Sequence, residues 1–147
     1  MPSSRNLKGI AAGLAGSFVS RNNDVEGYWG IGLLCRDAAQ TNGVVVLNLS
    51  QRLPVPATPS SVRVLKAYAQ QLDALLQNAG FSPGVLADAE VWLQFGEPST
   101  THANVVMFTC RVALADSKGQ RYEAIKHGQC WPHNPTRERR SARASGF

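Results

Sequence analysis

Two segments of the chain repeat large apolar residues at steps of three and four, which is the period of a helix with one buried stripe. The first predicted helix runs from Asn6 to Ser20, and its stripe consists of Leu7, Ile10, Leu14 and Phe18. The second begins at Ser60 or Ser61 and ends before Gly80. Its stripe consists of Val62, Leu65, Ala69, Leu72, Leu76 and Ala79.

Three glycines, Gly9, Gly13 and Gly16, interrupt the first predicted helix. Each costs up to about 1 kcal/mol of helix stability relative to alanine. This cost is commonly tolerated where another backbone comes close. We therefore expect these glycines to pack tightly against a sheet or a second helix.

Alternation of apolar and polar residues predicts five strands. They are Gly27 to Arg36, Val44 to Ser50, Glu90 to Phe95, Asn104 to Ala115 and Gln120 to His127. The last two form a hairpin around the turn from Asp116 to Gly119. Three prolines in residues 53–59 exclude a helix or a central strand there, so this segment is predicted to be a linker.

The order αββ-αβββ predicts an α+β fold, a two-layer sandwich with two helices packed on one face of a mainly antiparallel five-stranded sheet. Residues 1–134 are predicted to form this single domain, and residues 135–147 are predicted to form a basic, flexible C-terminal tail. The 147 residues are enough for one hydrophobic core. A hydrophobic content of 44% excludes disorder over most of the chain.

The sheet face that the helices leave uncovered is predicted to be partly apolar, whereas a solvated face should carry fewer large apolar groups. Its apolar members are Tyr28, Leu34, Val44, Val46, Trp92, Val105 and Met107, and its polar members are Asn48, Glu90, Gln94, Thr109 and Arg111. Such a face fits either a homodimer that packs sheet on sheet or a groove for a ligand or partner. The third alternative is that the inward and outward positions of two strands are interchanged in this assignment. The candidate binding residues are Tyr28, Val44, Val46, Trp92, Met107 and Arg111.

The net charge of +5 is concentrated at the end of the chain. Residues 135–147 carry +3, which leaves only +2 for residues 1–134. The charged fraction of 17% is low, and this favours oligomerisation through an uncharged surface. An alternative function is nucleic-acid binding through basic residues near the two termini. The residues in question are Arg5, Lys8, Arg21, Arg137, Arg139, Arg140 and Arg143.

His127, Cys130 and His133 bring three possible zinc ligands within seven residues, with Cys110 or Cys35 as a possible fourth. Established zinc patterns usually pair two short ligand motifs, and this chain has a single one. The same residues could form a cysteine nucleophile with a histidine base. Residues three apart on a strand, however, point to opposite faces. A small metalloprotein or enzyme is therefore a second alternative, and zinc is the one cofactor considered.

Three cysteines are too few for a disulfide framework and odd in number, which favours a reducing compartment and hence the cytoplasm. Basic residues before the apolar stretch from Gly9 to Val19 give the secretory alternative, but no small-x-small cleavage site follows. Acidic residues are sparse and no nucleophile and base pattern stands out. The interpretation is a non-enzymatic intracellular binding protein, a homodimer whose target is another protein or a small ligand.

Overall fold

A computed structural model describes residues 4–20, 29–82, 84–98 and 105–130. The helices in these ranges are α1 (Ser4–Ser20), α2 (Trp29–Asp37) and α3 (Pro59–Asn78), and a 3-10 turn (Ala38–Thr41) follows α2. The strands are β1 (Val44–Asn48), β2 (Leu53–Val55), β3 (Leu86–Pro98), β4 (Val106–Asp116) and β5 (Arg121–Cys130). They form one antiparallel sheet in the order β2-β1-β3-β4-β5.

The predicted α+β fold is confirmed, with helices packed on a five-stranded antiparallel sheet. Helix α1 packs on β4 and β5, α3 packs on β1 and β2, and α2 packs against α3 and β5. The order αββ-αβββ holds, with α2 added after α1. None of the helices in the described ranges is long and apolar enough to cross a membrane.

The predicted strand from Gly27 to Arg36 is wrong, because residues 29–37 form α2. This segment is apolar at nearly every position, so it satisfies both the period of two and the period of a helix. The residues that are buried, or that pack on the core, follow the helical spacing: Ile31, Leu34, Cys35 and Ala38. Leu34 is therefore fully buried in the helical layer and does not lie on the uncovered sheet face.

The segment predicted as a linker contains the short strand β2, which pairs with β1 at the edge of the sheet. Pro54 has no N–H to donate to a sheet, so the edge is the position at which a strand tolerates it. Strand β2 is therefore the fifth strand of the sheet, in place of the strand predicted from Gly27 to Arg36.

Helix α3 begins at Pro59, with Thr58 as its N-cap in place of the predicted Ser60 or Ser61. Ser61 is the third residue of the helix and completes a capping box. Its backbone N–H donates to the Thr58 hydroxyl at 3.0 Å, and its hydroxyl accepts from the Thr58 N–H at 2.8 Å. Proline at the first position fits, because that position needs no N–H donor.

The core lies between the helices and the inner face of the sheet. Its strand residues alternate, as in Val91, Leu93 and Phe95 of β3, all of which are buried. The Phe18 ring of α1 stacks on the Tyr68 ring of α3, with centroids 3.5 Å apart, and joins the two helices.

The predicted close packing at Gly9, Gly13 and Gly16 is not found, because a Cβ atom at any of them would meet nothing within 4 Å. The close approach occurs instead at Gly128 of β5. A Cβ atom there would lie 2.9 Å from the Val19 side chain of α1 and 3.0 Å from the Phe108 ring. Gly128 thus lets the end of α1 lie directly on the sheet.

Candidate functional site

The outer face of the sheet, opposite the helices, carries a continuous row of side chains that we call the apolar stripe. The strand register places its members side by side across all five strands. In spatial order they are Val55, Val46, Trp92, Arg111 and Ile125. Trp92 occupies the central strand β3, so the stripe extends by two strands on each side of it.

Several large apolar side chains of the outer face are open to solvent. The exposed fractions are 56% for Leu53, 58% for Val55, 49% for Met107 and 54% for Ile125. The half-buried Val44, Val46 and Trp92 lie on the same face. Contiguous apolar surface of this kind commonly marks an interaction site.

Arg111 is the one charged member of the stripe, and it is held from two sides. Its guanidinium carbon lies 4.9 Å from the centroid of the Trp92 ring, which is a cation–π contact. On the other side its Nη2 atom donates to Oε1 of Glu123 at 2.7 Å. Arg121 approaches the same carboxylate oxygen at 3.3 Å. The hydrogen bond from Arg111, together with the charges of Arg111 and Arg121, lowers the pKa of Glu123 below its usual range.

Polar rows flank the apolar stripe on both sides. On one side the Thr109 hydroxyl and Nδ1 of His127 share a hydrogen bond of 3.1 Å. On the other side the Asn48 amide donates to Asp88 at 3.1 Å and to Glu90 at 3.4 Å. Partial burial of Glu90 and the neighbouring Asp88 raise the pKa of Glu90 above its usual range. The outer face thus has an apolar central row, and the rows beside it place these hydrogen-bonded side chains next to Val44 on one side and Leu53 on the other.

Most of the predicted binding residues fall on this face, namely Val44, Val46, Trp92, Met107 and Arg111. Tyr28 lies outside the described residues. Leu53, Val55 and Ile125 also lie on this face and were not among the predicted binding residues. Ile125 was detectable, since it alternates with polar neighbours in a predicted strand, whereas the prolines around Leu53 and Val55 hid β2.

The structure separates two of the three candidate zinc ligands. His127 is exposed on the outer face, while Cys130 is buried on the inner face. His133 lies outside the described residues. Within the ranges that the structure covers, no three His, Cys, Asp or Glu side chains are grouped to hold a metal ion.

Of the basic residues predicted to bind nucleic acid, the two that belong to a described helix do not lie on the outer face. Arg5 and Lys8 belong to α1, which packs on the inner face of β4 and β5. Arg21, Arg137, Arg139, Arg140 and Arg143 lie outside the described residues.

A concave surface of about 330 Å³ lies along α3. Its lining combines Arg52 and Lys66 with Val62, Leu65 and Gln70. Arg52 also pairs with Asp73 of α3, with Nη2 and Oδ2 3.1 Å apart. This groove is distinct from the outer face.

No protein-family model, curated protein or solved structure matches this chain. Its function is therefore argued from its own residues.

Proposed function

We propose that the protein is a non-enzymatic interaction protein that forms a homodimer by packing its outer face against that of a second copy. The observation that carries this proposal is the apolar stripe, which crosses all five strands and places Trp92 and Arg111 at the middle of the face. The three free thiols support a reducing compartment such as the cytoplasm for it.

The arrangement of the stripe suits a second copy of the same chain. A symmetric dimer uses one patch on both subunits, so the patch has to be complementary to itself. A two-fold axis that runs parallel to the strands, in the interface above Trp92, lays the stripe on the partner's stripe in reverse order. Val46 and Val55 of one copy then face Arg111 and Ile125 of the other. The flanking polar rows then meet polar rows at the border.

The size of the outer face also suits a dimer. With about 4.8 Å between strands and about 3.3 Å per residue, the five strands give a footprint of roughly 600 Å². Side chains that project from the sheet enlarge the accessible area beyond this footprint. Specific interfaces bury about 600 to 1,000 Å² on each partner, so the face is large enough without the helices.

The residue types at the centre of the face are those that dominate binding energy in interfaces. Tryptophan and arginine are enriched among such residues, and a surrounding border of polar contacts excludes water from them. The contacts of Arg111 with Trp92 and Glu123 hold it in place before association, which reduces the entropy lost on binding.

The test is the molar mass of the full chain in solution, measured by size-exclusion chromatography with light scattering. We expect twice the chain mass of 15.8 kDa for the unmodified protein. The variant Ile125→Glu should be monomeric, because it places a carboxylate in the stripe. The introduced carboxylate would lie opposite Arg111 within one subunit, so the fold should tolerate it.

The matched control is Val62→Glu, which changes another exposed apolar residue, on α3 and away from the outer face. It should leave the dimer intact. A monomer for the unmodified chain at the highest attainable concentration, or a dimer for Ile125→Glu, would contradict the proposal. A peak rich in nucleic acid that resolves in high salt would favour the basic residues near the termini instead.

A further inference from the structure

The groove along α3, which we call the α3 groove, is lined by both apolar and cationic side chains. Val62 and Leu65 are its apolar members, and Arg52, Lys66 and Gln70 are its polar members. Leu65 is buried, whereas the three polar side chains are exposed. We propose that the α3 groove binds a small amphipathic monocarboxylate, that is, a short apolar chain or ring that carries one carboxylate group.

Two separate elements form the α3 groove. Val62, Lys66 and Gln70 follow one another at steps of four, so they lie along one face of α3. Arg52 comes from the turn between β1 and β2. The volume of about 330 Å³ is at the lower end of ligand sites, which span about 300 to 1,000 Å³. A small ligand therefore fits, with its apolar part against α3 and its charged end at the cations.

The turn before Arg52 directs this side chain toward α3. Asn48 fixes the turn, because its Oδ1 atom accepts from the Gln51 N–H at 2.8 Å and from the Ser50 hydroxyl at 2.9 Å. Arg52 then takes a φ of 60°, in the left-handed region that residues with a side chain rarely adopt. Its Nη2 atom donates to Oδ2 of Asp73 on α3 at 3.1 Å. The guanidinium is thus held beside the helix before a ligand arrives.

The charges around the α3 groove match a ligand with one negative charge. Arg52 and Lys66 contribute two positive charges and Asp73 contributes one negative charge, which leaves +1. The printed contact with Asp73 uses one nitrogen of a guanidinium that carries five N–H donors, so Arg52 can also bind a ligand carboxylate. Within the described part of the chain, the Lys66 ammonium forms no ion pair.

The two parts of the ligand answer the two kinds of lining. A carboxylate would accept charge-assisted hydrogen bonds from Arg52 and Lys66, and the Gln70 amide supplies a further N–H donor. An apolar chain would cover Val62 and Leu65 and remove apolar surface from water. A neutral apolar molecule lacks the first contribution, and a carboxylate without a chain lacks the second. Both parts are therefore needed for binding.

The α3 groove is independent of the proposed dimer, because α3 lies on the opposite side of the sheet from the apolar stripe. The variant Val62→Glu separates the two sites. It should leave the dimer intact, as argued above, and it should abolish binding of a carboxylate because it places a like charge in the groove. Ile125→Glu should have the reverse effects. Failure of one proposal is thus distinguishable from failure of the other.

The experiment titrates the full chain with octanoate and follows the backbone amide chemical shifts by NMR. We expect shifts that saturate and that cluster at Arg52, Val62, Lys66 and Gln70. Acetate supplies the charge without the chain, and octanol supplies the chain without the charge. Each should bind at least about tenfold more weakly than octanoate, which corresponds to about 1.4 kcal/mol.

Calorimetry of variants then assigns the charged end of the ligand. Lys66→Gln should raise the dissociation constant of octanoate about tenfold, the size expected for a lost charge-assisted hydrogen bond. Asp73→Asn should lower the dissociation constant, because it removes a carboxylate that competes for Arg52. The matched control is Arg63→Gln, which removes an exposed positive charge of α3 outside the groove lining and should leave binding unchanged.

Four outcomes would overturn the proposal. One is the absence of saturable shifts with octanoate. The second is that the shifts cluster on the outer face around Trp92. The third is that acetate binds as tightly as octanoate, which would indicate an adventitious ion only. The fourth is equal weakening by Arg63→Gln and Lys66→Gln. Since the shift mapping uses the unmodified protein, the proposal can be judged even where a variant fails to fold.

Discussion

The guanidinium carbon of Arg111 lies 4.9 Å from the centroid of the Trp92 ring, and the two residues are direct partners on β4 and β3. The stacked pair covers part of the Trp92 ring within one subunit. It also turns a charged residue into a member of the apolar stripe, because the flat guanidinium is weakly hydrated and its charge is paired with Glu123. This pair is the centre of the proposed interface.

Arg111→Lys should weaken the dimer because it keeps the charge but loses the planar group that stacks on Trp92. A loss of about 1.4 kcal/mol raises the dissociation constant tenfold, and we expect an effect of at least about this size from the stack and its paired hydrogen bond. Sedimentation equilibrium measures the dissociation constant directly.

The control for this substitution is Arg52→Lys, which changes another exposed arginine that forms an ion pair, in this case with Asp73 on α3. It lies at the turn between β1 and β2 and should leave the dissociation constant unchanged. Equal weakening by both variants would show that the effect is general and would speak against Trp92 and Arg111 as the centre of the interface.

Glu90→Gln should alter how stability depends on pH. Partial burial and Asp88 raise the pKa of Glu90, so its carboxyl keeps a proton in the folded protein at a pH where the unfolded chain has lost it. The folded state therefore loses stability as pH rises from the ordinary carboxyl pKa through the raised one. Glutamine resembles the protonated form and removes this loss.

Urea unfolding at several pH values measures this effect. Glu90→Gln and the unmodified protein should agree at low pH, and the variant should be the more stable one near neutral pH. Glu123→Gln provides the opposite sign, because the pKa of Glu123 is lowered and its contribution is present at neutral pH and lost on acidification. The same sign for both variants would contradict these assignments.

Much of the sheet was predictable because its strands alternate over long stretches. In β4 the large buried residues Val106, Phe108, Cys110, Val112 and Leu114 follow a period of two, which the small buried Ala113 does not obscure, and the turn after Asp116 fixes the return strand. Helix α2 was not predictable in this way, since a short, almost wholly apolar segment fits two periods. Only tertiary packing against α3 and β5 selects the helix.

The candidate site was predictable only in part. The period of two placed Val46, Trp92 and Met107 on one face, but the alignment of residues from five strands into a single stripe depends on the register, which no single strand encodes.

Ser61→Ala should destabilise the protein by about 1 to 2 kcal/mol through loss of a capping interaction. The Ser61 side chain is fully buried, and its hydroxyl donates to the Pro56 carbonyl at 2.5 Å while it accepts from the Thr58 N–H. Without it, the Thr58 N–H and the Pro56 carbonyl keep only the 3.2 Å hydrogen bond that joins them to each other. Thermal or urea unfolding measures the change.

Ser60→Ala is the control for this prediction, since it removes a neighbouring hydroxyl that sequence alone makes an equally good cap. Ser60 is only half-buried, and Thr58 is the N-cap in the structure. The change in the free energy of unfolding should be within about 0.5 kcal/mol, as for ordinary surface substitutions. A larger effect at Ser60 than at Ser61 would mean that α3 begins later than Pro59.

Gly128→Ala should destabilise the protein by about 1 to 3 kcal/mol, the usual range for overpacking. The added methyl group would lie 2.9 Å from Val19, so α1 would have to move away from β5.

Gly13→Ala should have the opposite effect and stabilise α1 by up to about 1 kcal/mol, because Gly13 is exposed and a Cβ atom there meets nothing within 4 Å. Urea unfolding of both variants distinguishes close packing from helix propensity as the reason for a glycine. Val19→Gly combined with Gly128→Ala should recover part of the loss, because it removes both Val19 atoms that would lie 2.9 Å from the added methyl group. Residues in contact do not act additively. If the double variant were no better than the sum of the two single ones, the contact between α1 and β5 at Gly128 would not be the cause.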